Sequence, residues 1–304
     1  MKRRSLLQLG AVLGAASAGV RVEASEAGSK PSTAPRAAPA QALRPPADGK
    51  MPVAFLLSDD AVVIDFAGPW EVFENVHLPG GLGHPFELHT VAESAAPVRA
   101  GGGLTILPGH TFATAPPPKI LVIPAQGEPS AACIDWIRRV APATDLTMSV
   151  CTGAFVLART GLLAGKEVAT HHRAYAELAM AYPDVFVRRG ARFVESGNLA
   201  SSGGLSSGID LALHVVERYF GRAVALATAD NLEYQGQGWL DANSNRVYAR
   251  PRRSAAGPPL CPVCDMEVDP ASAPSSVLHA KTWYFCMASH KKLFDTAPER
   301  FVAG

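Results

Sequence analysis

The sequence predicts an α/β fold: a three-layer sandwich in which helices cover both faces of a mainly parallel sheet. Short apolar runs rich in β-branched residues alternate with amphipathic segments between residues 52 and 232, which is the order that builds such a sheet. One alternation, at 145–165, places a cysteine between a strand and a helix. The 304 residues, 48% of them hydrophobic, can bury one full core and a small additional unit.

The N-terminal residues 1–24 are predicted to be a twin-arginine signal peptide. Arg3 and Arg4 precede an apolar run at 6–20, the architecture of an export signal. That run is too short for an ordinary transmembrane helix, although an uncleaved amphipathic anchor is the alternative. We therefore expect a periplasmic or otherwise exported protein without stable membrane insertion after cleavage. Residues 25–50, rich in Pro, Ala and Ser, indicate a flexible linker.

The main domain is predicted to span residues 51–245. In its first half we expect strands at 52–57, 86–92 and 120–123 and a hairpin with a glycine-rich turn at 98–107. We also expect helices at 65–76, with Pro69 near the start, and at 130–140. After the cysteine segment we expect strands at 167–170, 185–187 and 192–194, a helix at 173–182, and two long helices at 206–220 and 222–232.

The cysteine segment predicts a buried strand at 146–150, a sharp turn carrying Cys151 and a helix ending at Gly161. The pattern S-x-C-x-G is the cysteine counterpart of a strained nucleophile elbow. The N-terminus of the following helix presents free N–H groups and partial positive charge, which should lower the pKa of the thiol. The alternative is a small apolar residue packed at a strand end.

Charge offers no sign of a nucleic-acid partner, because 28 Lys and Arg against 27 Asp and Glu give a net charge of +1. Residues 246–259 carry four arginines among Pro, Ser, Ala and Gly and predict a solvated linker. A basic patch for an anionic partner is the alternative, but no aromatic or helical pattern supports it.

Five separated motifs, in order, resemble the PfpI-type superfamily, which has a class I glutamine amidotransferase-like fold and includes the Parkinson's-disease deglycase. The motifs are VVIDFAGPWEVFENV, LVIPAQG, MSVCTGAFVLARTGLLAGKEVATHH, SSGGLSSGIDLALHVVERYFG and NLEYQGQ. The wording D-x-x-G-P-x-E-V-F and S-V-C-T-G-A is most similar to the isonitrile hydratase branch and to the sensor domains of related transcription regulators.

The resemblance implies that Cys151 is a nucleophile and that Asp65 is its acid or proton shuttle. It also implies that Thr152 takes part in the site, where its N–H would serve an oxyanion hole. Asp65 could instead cap the helix that starts near Gly68. No histidine directly follows the cysteine, so a protease-like Cys-His pair is not expected.

The loop after the third buried strand departs from the family pattern. The family usually has two glycines there, whereas this chain has Ala125 and Gln126, followed by Gly127. We expect Gln126 and Gly127 to lie at the oxyanion position, and the side chains of Ala125 and Gln126 to narrow the site or alter its backbone geometry. His171, in the family's T-H-W position, is a further candidate for substrate contact, although it could be a hydrogen-bonded surface residue.

The C-terminal residues 260–304 carry the spacing of a metal site. Cys261 and Cys264 form a C-x2-C knuckle, and Cys286 and His290 stand at i and i+4, which places them on one face of a helix. Four such ligands suit tetrahedral zinc, or copper(I) as another soft ion. A disulfide between the first two cysteines is the alternative. The segments CPVCDMEVDP and KTWYFCMASHKKLFDTAPERF closely resemble the YHS domain, a treble-clef-like metal-binding module.

Two functions follow as expectations. The first is an exported cysteine-dependent hydratase or hydrolase that forms a covalent adduct with a small electrophilic substrate through Cys151, without a cofactor in the main domain. The second is a non-catalytic protein that senses or binds a small molecule, an oxidant or a metal. Because family members commonly dimerise, a homodimer is a further expectation.

Overall fold

The computed structural model describes residues 43–46, 50–80, 83–249, 257–296, 298 and 301. The predicted signal peptide 1–24 lies outside the described residues, as do most of the linker 25–50 and residues 250–256 of the second linker. Within the described ranges, no helix is long and apolar enough to cross a membrane. The domain boundaries themselves stay a prediction.

The elements follow the predicted alternation closely. The strands are β1 (Met51–Leu56), β2 (Phe86–Ala92), β3 (Val98–Arg99), β4 (Thr105–Ile106), β5 (His110–Thr111), β6 (Ile120–Ile123), β7 (Leu146–Val150), β8 (Glu167–Val168), β9 (Phe186–Val187), β10 (Phe193–Ser196), β11 (Leu199–Ser202), β12 (Ser275–Leu278) and β13 (Lys281–Tyr284). The helices are α1 (Val63–Glu74), α2 (Ala131–Val140), α3 (Gly153–Arg159), α4 (Tyr175–Ala181), α5 (Ser207–Phe220), α6 (Arg222–Asn231) and α7 (Ala288–Thr296).

The central sheet has seven strands in the order β10-β11-β7-β6-β1-β2-β5. Every neighbouring pair is parallel except β10 with β11. Because successive side chains on a strand point to opposite faces, Val53 and Phe55 of β1 pack into one core with α1, α5 and α6. Ala54 and Leu56 pack into a second core with α2, α3 and α4. The prediction of a mainly parallel α/β sheet is therefore confirmed.

Strand β11 is a central element that the sequence did not predict. Its residues, LASS, are all buried but lack a long apolar run, because small side chains suffice where helices press closely on the sheet. It pairs in parallel with β7, and its last residue, Ser202, lies opposite Val150. The loop that leaves β11 therefore emerges beside Cys151.

Helix α1 differs from its prediction in two respects. Pro69 lies in the interior of the helix, not near its start, and the N-cap residue is Val62. Asp65 sits in the first helical turn and its side chain is fully buried. The alternative in which Asp65 caps the helix is therefore wrong, and its carboxylate serves another purpose.

The C-terminal part contains the antiparallel hairpin β12–β13 and helix α7, packed around Phe285 and Phe294. This small core also includes Ala179 of α4. Arg189 holds the two parts together, because its Nη1 donates to Asp265 Oδ2 at 2.6 Å and its Nη2 donates to the Val263 carbonyl at 3.1 Å. The cysteine knuckle is thus docked on α4.

We predict that Gly153→Ala destabilises the fold by about 3 kcal/mol or more, a large overpacking penalty. A Cβ atom at this position would lie 2.2 Å from the Ile123 carbonyl oxygen and 2.7 Å from that of Pro124, and neither backbone group can move away alone. Gly101→Ala is the matched control, since its Cβ would meet nothing closer than 3.5 Å. Urea unfolding of the two variants checks this, and equal stability would contradict it.

Candidate functional site

Cys151 occupies a strained turn between β7 and α3. Its φ angle is +59°, a left-handed conformation that is uncommon for a residue with a side chain. The backbone is held there from both sides: the Cys151 N–H donates to the Gly203 carbonyl at 3.0 Å, and the Cys151 carbonyl accepts from Thr170 Oγ1 at 2.9 Å. The turn has the geometry of a nucleophile elbow.

Asp65 brings a buried carboxylate to this turn. Its Oδ2 accepts a hydrogen bond from the Ala125 N–H at 3.2 Å, and the Cys151 thiol and the Leu205 N–H lie near enough to the carboxylate to lower its pKa. The other oxygen, Oδ1, is buried and has no partner among the described residues. Burial is the larger effect and raises the pKa of Asp65 to about 6, although these three donors oppose the rise. Asp65 is therefore ionised at neutral pH but able to accept a proton.

The pKa of Cys151 contradicts the predicted lowering. Burial, followed by the charge of Asp65, raises it to about 11. Hydrogen bonds from the backbone of Thr152 and Leu205 and from the Thr152 side chain act in the opposite direction. The helix N-terminus does supply donors as expected, but they are outweighed because the thiol is only 8% exposed and faces a carboxylate. The resting group is a neutral thiol beside the Asp65 carboxylate.

The loop after β11 contributes a backbone group that the sequence did not reveal. Leu205, at φ +52°, directs its N–H toward both Asp65 and Cys151. The preceding residue, Gly204, has to be a glycine because a Cβ atom there would lie 2.1 Å from the His171 ring. The functional atom is a main-chain N–H, so no side-chain motif could have identified it.

Arg192 anchors this loop. Its Nε donates to Asp210 Oδ2 at 2.6 Å, its Nη1 to Asn245 Oδ1 at 3.1 Å and its Nη2 to Ser206 Oγ at 3.0 Å. Asp210 is fully buried, and burial raises its pKa although Arg192 opposes the shift. The sequence contains a signal for this pair: Asp210 is an acidic residue on the apolar face of a long helix. A buried charge of this kind needs a partner.

The loop after β6 leaves one of its predicted oxyanion donors available. The Ala125 N–H is taken by Asp65, and the Gly127 N–H donates to the Asp59 carbonyl at 2.9 Å, so the expectation of an oxyanion donor at Gly127 is wrong. The Gln126 side chain accepts from Ser58 Oγ at 2.9 Å, and its Nε2 is buried without a partner among the described residues. Of the two residues predicted at the oxyanion position, Gln126 therefore remains available to a substrate.

His171 lies beside Gly204 and stacks near the ring of His172, with centroids 4.4 Å apart. Its Nδ1 accepts from the Arg173 N–H at 3.3 Å. Burial, then the nearby His172 and Arg173, lowers the pKa of His171. The structure therefore brings Cys151, Asp65 and Thr152 together, whereas His171 is a neutral ring at the margin of the site.

The four predicted metal ligands converge. One ligand atom from each of Cys261, Cys264, Cys286 and His290 lies within 4.8 Å of the others. His290 Nδ1 is 3.2 Å from Cys286 Sγ and 3.6 Å from Cys261 Sγ, and Cys264 Sγ is 3.4 Å from Cys286 Sγ. The three cysteines are free thiols, so the structure does not contain the alternative disulfide between Cys261 and Cys264. This cluster could hold a metal ion.

One detail of the cluster differs from prediction. Helix α7 begins at Ala288, so Cys286 lies in the turn before it and not on the same helical face as His290. His290 is fully buried and its Nε2 has no partner among the described residues, which leaves Nδ1 as the atom that faces the sulfurs.

The comparisons with known proteins agree with this geometry. The sequence profile described as the DJ-1/PfpI family matches residues 51–218. The isonitrile hydratase of Pseudomonas putida is 31% identical over 202 residues, covering 63% of this chain and 82% of that protein. The HTH-type transcriptional regulator GbdR of Pseudomonas aeruginosa is 26% identical, and the match covers 60% of this chain but only 50% of the regulator.

Solved structures show the same fold. A THiJ/PfpI family protein from Pseudomonas syringae superposes with a TM-score of 0.56 at 23% identity, over 68% of this chain and 84% of the other. Drosophila melanogaster DJ-1beta gives 0.52 at 18% identity, over 62% of this chain and 100% of the other. Because the family profile matches more than half of the sequence, the chain belongs to the DJ-1/PfpI family.

Proposed function

We propose that this protein is an exported, cysteine-dependent hydratase that resembles isonitrile hydratase and acts on a small electrophilic substrate through a covalent Cys151 adduct. The observation that carries the proposal is the contact between the neutral Cys151 thiol and the buried Asp65 carboxylate. The similarity to isonitrile hydratase selects the reaction class, and Arg3 and Arg4 in the predicted signal support export to the periplasm.

The chemistry follows from the proton positions. As the sulfur attacks the terminal carbon of an isonitrile, Asp65 accepts the thiol proton and delivers it to that carbon, so a C–S bond forms and a thioimidate results. Water then adds to the thioimidate carbon with Asp65 accepting its proton. Asp65 passes this proton to the nitrogen, the hydroxyl proton of the adduct returns to the sulfur as the C–S bond breaks, and an N-substituted formamide leaves. The formamide contains the atoms of one isonitrile molecule and one water molecule, so the reaction balances.

Each step has a group in place. Asp65 Oδ1 is the acceptor without a partner, so it is available to the water molecule or to the substrate proton. The Leu205 and Thr152 N–H groups stabilise negative charge on the sulfur as the proton leaves. Gln126 lines a cleft together with Thr152, and its Nε2 has no partner among the described residues, which supports the proposal that it donates to the substrate.

A second candidate is a non-catalytic sensor of a small molecule, an oxidant or a metal. It is favoured by the loop after β6, in which the Ala125 N–H is engaged by Asp65 and the Gln126 side chain, which accepts from Ser58, stands where the family resemblance implies a glycine. HTH-type transcriptional regulators are also among the relatives, which supports a role other than catalysis. Trapping a ligand without turnover would support it.

We further propose that residues 260–304 form a YHS-like, treble-clef-like module that binds zinc, or copper(I), through Cys261, Cys264, Cys286 and His290. The sulfur and nitrogen separations of 3.2 to 3.6 Å fit ligands around one tetrahedral ion whose metal–ligand bonds are about 2.0 to 2.3 Å. The bound ion would supply structural cross-linking of the knuckle to α7, a staple that small units usually need.

The test of catalysis is a turnover screen with isonitriles, amides and glyoxals. We expect Cys151→Ala and Cys151→Ser to lose at least about 10³-fold in kcat/KM, as removal of a nucleophile usually does. Cys133→Ser, which removes a buried thiol outside the site, is the matched control and should retain activity. Full turnover by Cys151→Ser on any hit would overturn the proposal.

The pH profile gives an independent check of the role of Asp65. Because only the ionised carboxylate can accept the thiol proton, kcat/KM should rise as the pH passes through about 6, the pKa of Asp65, and fall below it. Asp65→Asn should lose activity by about 10² to 10⁴-fold, the usual contribution of a general base, and should lack this acid limb. An unchanged limb in that variant would assign the titration to another group.

The metal proposal predicts one ion per chain after purification, measured by native mass spectrometry and elemental analysis. Cys264→Ser should abolish stoichiometric binding, because three ligands without the second knuckle sulfur no longer close the site. Cys133→Ser should keep one ion, as its thiol lies in a separate core. Equal metal content in wild type and Cys264→Ser, or none in both, would refute the metal centre.

A further inference from the structure

A cleft of about 380 Å³ opens next to the residue that follows the nucleophile. It begins at Gln126 and Thr152 and runs along α3 toward α4. Its walls are formed mainly by Gln126, Thr152, Phe155, Arg159, Glu177 and Tyr182. The cleft therefore extends from the candidate oxyanion loop, and a group attached to a carbon bound at Cys151 has space to lie in it.

Two aromatic rings form its apolar part. Phe155 lies one helical turn beyond Thr152, and its N–H donates to the Thr152 carbonyl at 3.0 Å. Its ring meets that of Tyr182 edge to face, with centroids 6.5 Å apart and an interplanar angle of 72°. Both side chains are only partly buried, so faces of both rings remain for a flat or branched apolar group to cover.

The charges in the cleft are arranged against an anionic substituent. Arg159 is paired with Glu128, so its positive charge is already compensated. Glu177 lines the same cleft and has no ion-pair partner among the described residues. The excess charge is therefore negative, and a carboxylate entering the cleft would be repelled.

The α4 wall is supported from behind. Ala179 of α4 packs into the core of the cysteine module, and Arg189, whose guanidinium lies 5.7 Å from the centre of the Tyr175 ring, ties the knuckle to the same helix. The wall that carries Glu177 and leads into Tyr182 thus does not depend on a ligand for its position.

The geometry points to this cleft as the subsite that holds the substituent of the electrophile, with Phe155 and Tyr182 selecting neutral aromatic or branched apolar groups and Glu177 excluding carboxylates. This inference rests on the proposed function only in that Cys151 is the attacking group. It adds a substrate class: electrophiles whose reactive carbon is joined, directly or through nitrogen, to an uncharged, aromatic-sized substituent.

The test measures alkylation of Cys151 in the full chain by iodoacetamide, N-benzyl iodoacetamide and iodoacetate, each at low conversion and resolved by peptide mass spectrometry. In each reaction the sulfur displaces iodide and the thiol proton leaves to solvent. Each rate is divided by the rate with glutathione. Because the reagents attack the same thiol, their ratio cancels its ionisation and reports only on what the site does to the substituent.

We expect the normalised preference for the benzyl reagent over iodoacetamide to be roughly fivefold in wild type, the size of one aromatic contact, and to vanish in Phe155→Ala. Phe155→Leu should retain part of this preference, and it controls for misfolding of the Phe155→Ala variant. Tyr182→Phe should leave it unchanged. Phe112→Ala, which removes a ring that stacks on Trp136 in another part of the protein, is the matched control and should keep the wild-type ratio.

For charge, Glu177→Gln should raise the normalised rate of iodoacetate about twofold or more by removing a nearby like charge and leave the benzyl ratio unchanged. Equal benzyl ratios in wild type and folded Phe155→Ala would overturn the subsite, as would a preference for iodoacetate. The outcome is independent of turnover: a protein that hydrates no substrate could still show the subsite, and an active enzyme could lack it.

Discussion

The pairing of the Cys151 thiol with the buried Asp65 carboxylate is the interaction on which the candidate site depends. It forms between two buried side chains, one in a left-handed turn after β7 and the other in the first turn of α1. Burial favours the neutral form of each group, so together they hold one proton that is ready to move. The pair can exist only because the surrounding backbone supplies donors.

Keeping an ionised carboxylate in that position has a stability cost. The rise of the pKa of Asp65 from 3.8 to about 6 corresponds to about 3 kcal/mol at 1.36 kcal/mol per unit. The Ala125 and Leu205 N–H groups limit this cost, and Arg192 fixes the Leu205 loop through Ser206. The buried Arg192–Asp210 pair therefore serves the site indirectly, by holding a strained loop that has no apolar anchor of its own.

The sequence revealed the position of Cys151 in the turn but not the ionisation of its thiol. S-x-C-x-G fixed Cys151 in a turn, and the family resemblance paired it with Asp65, because both depend on local pattern. The direction of the Cys151 pKa shift depends on how deeply two segments that are distant in the sequence are buried together. A short motif does not contain that information. Strand β11 was missed because its four small residues carry no apolar period, and Leu205 because its contribution is a main-chain N–H. The cysteine cluster was anticipated because ligand spacing is itself a local signal.

The ionisation of Asp65 is the most direct measure of this account. Infrared difference spectra between wild type and Asp65→Asn isolate the carboxyl band of this side chain, and the band can be followed as the pH is raised. We predict a carboxylic acid that ionises with a pKa of about 6 while the Cys151 S–H band persists at neutral pH. A carboxyl that ionises at or below its ordinary value of 3.8, beside a thiolate at neutral pH, would contradict the account.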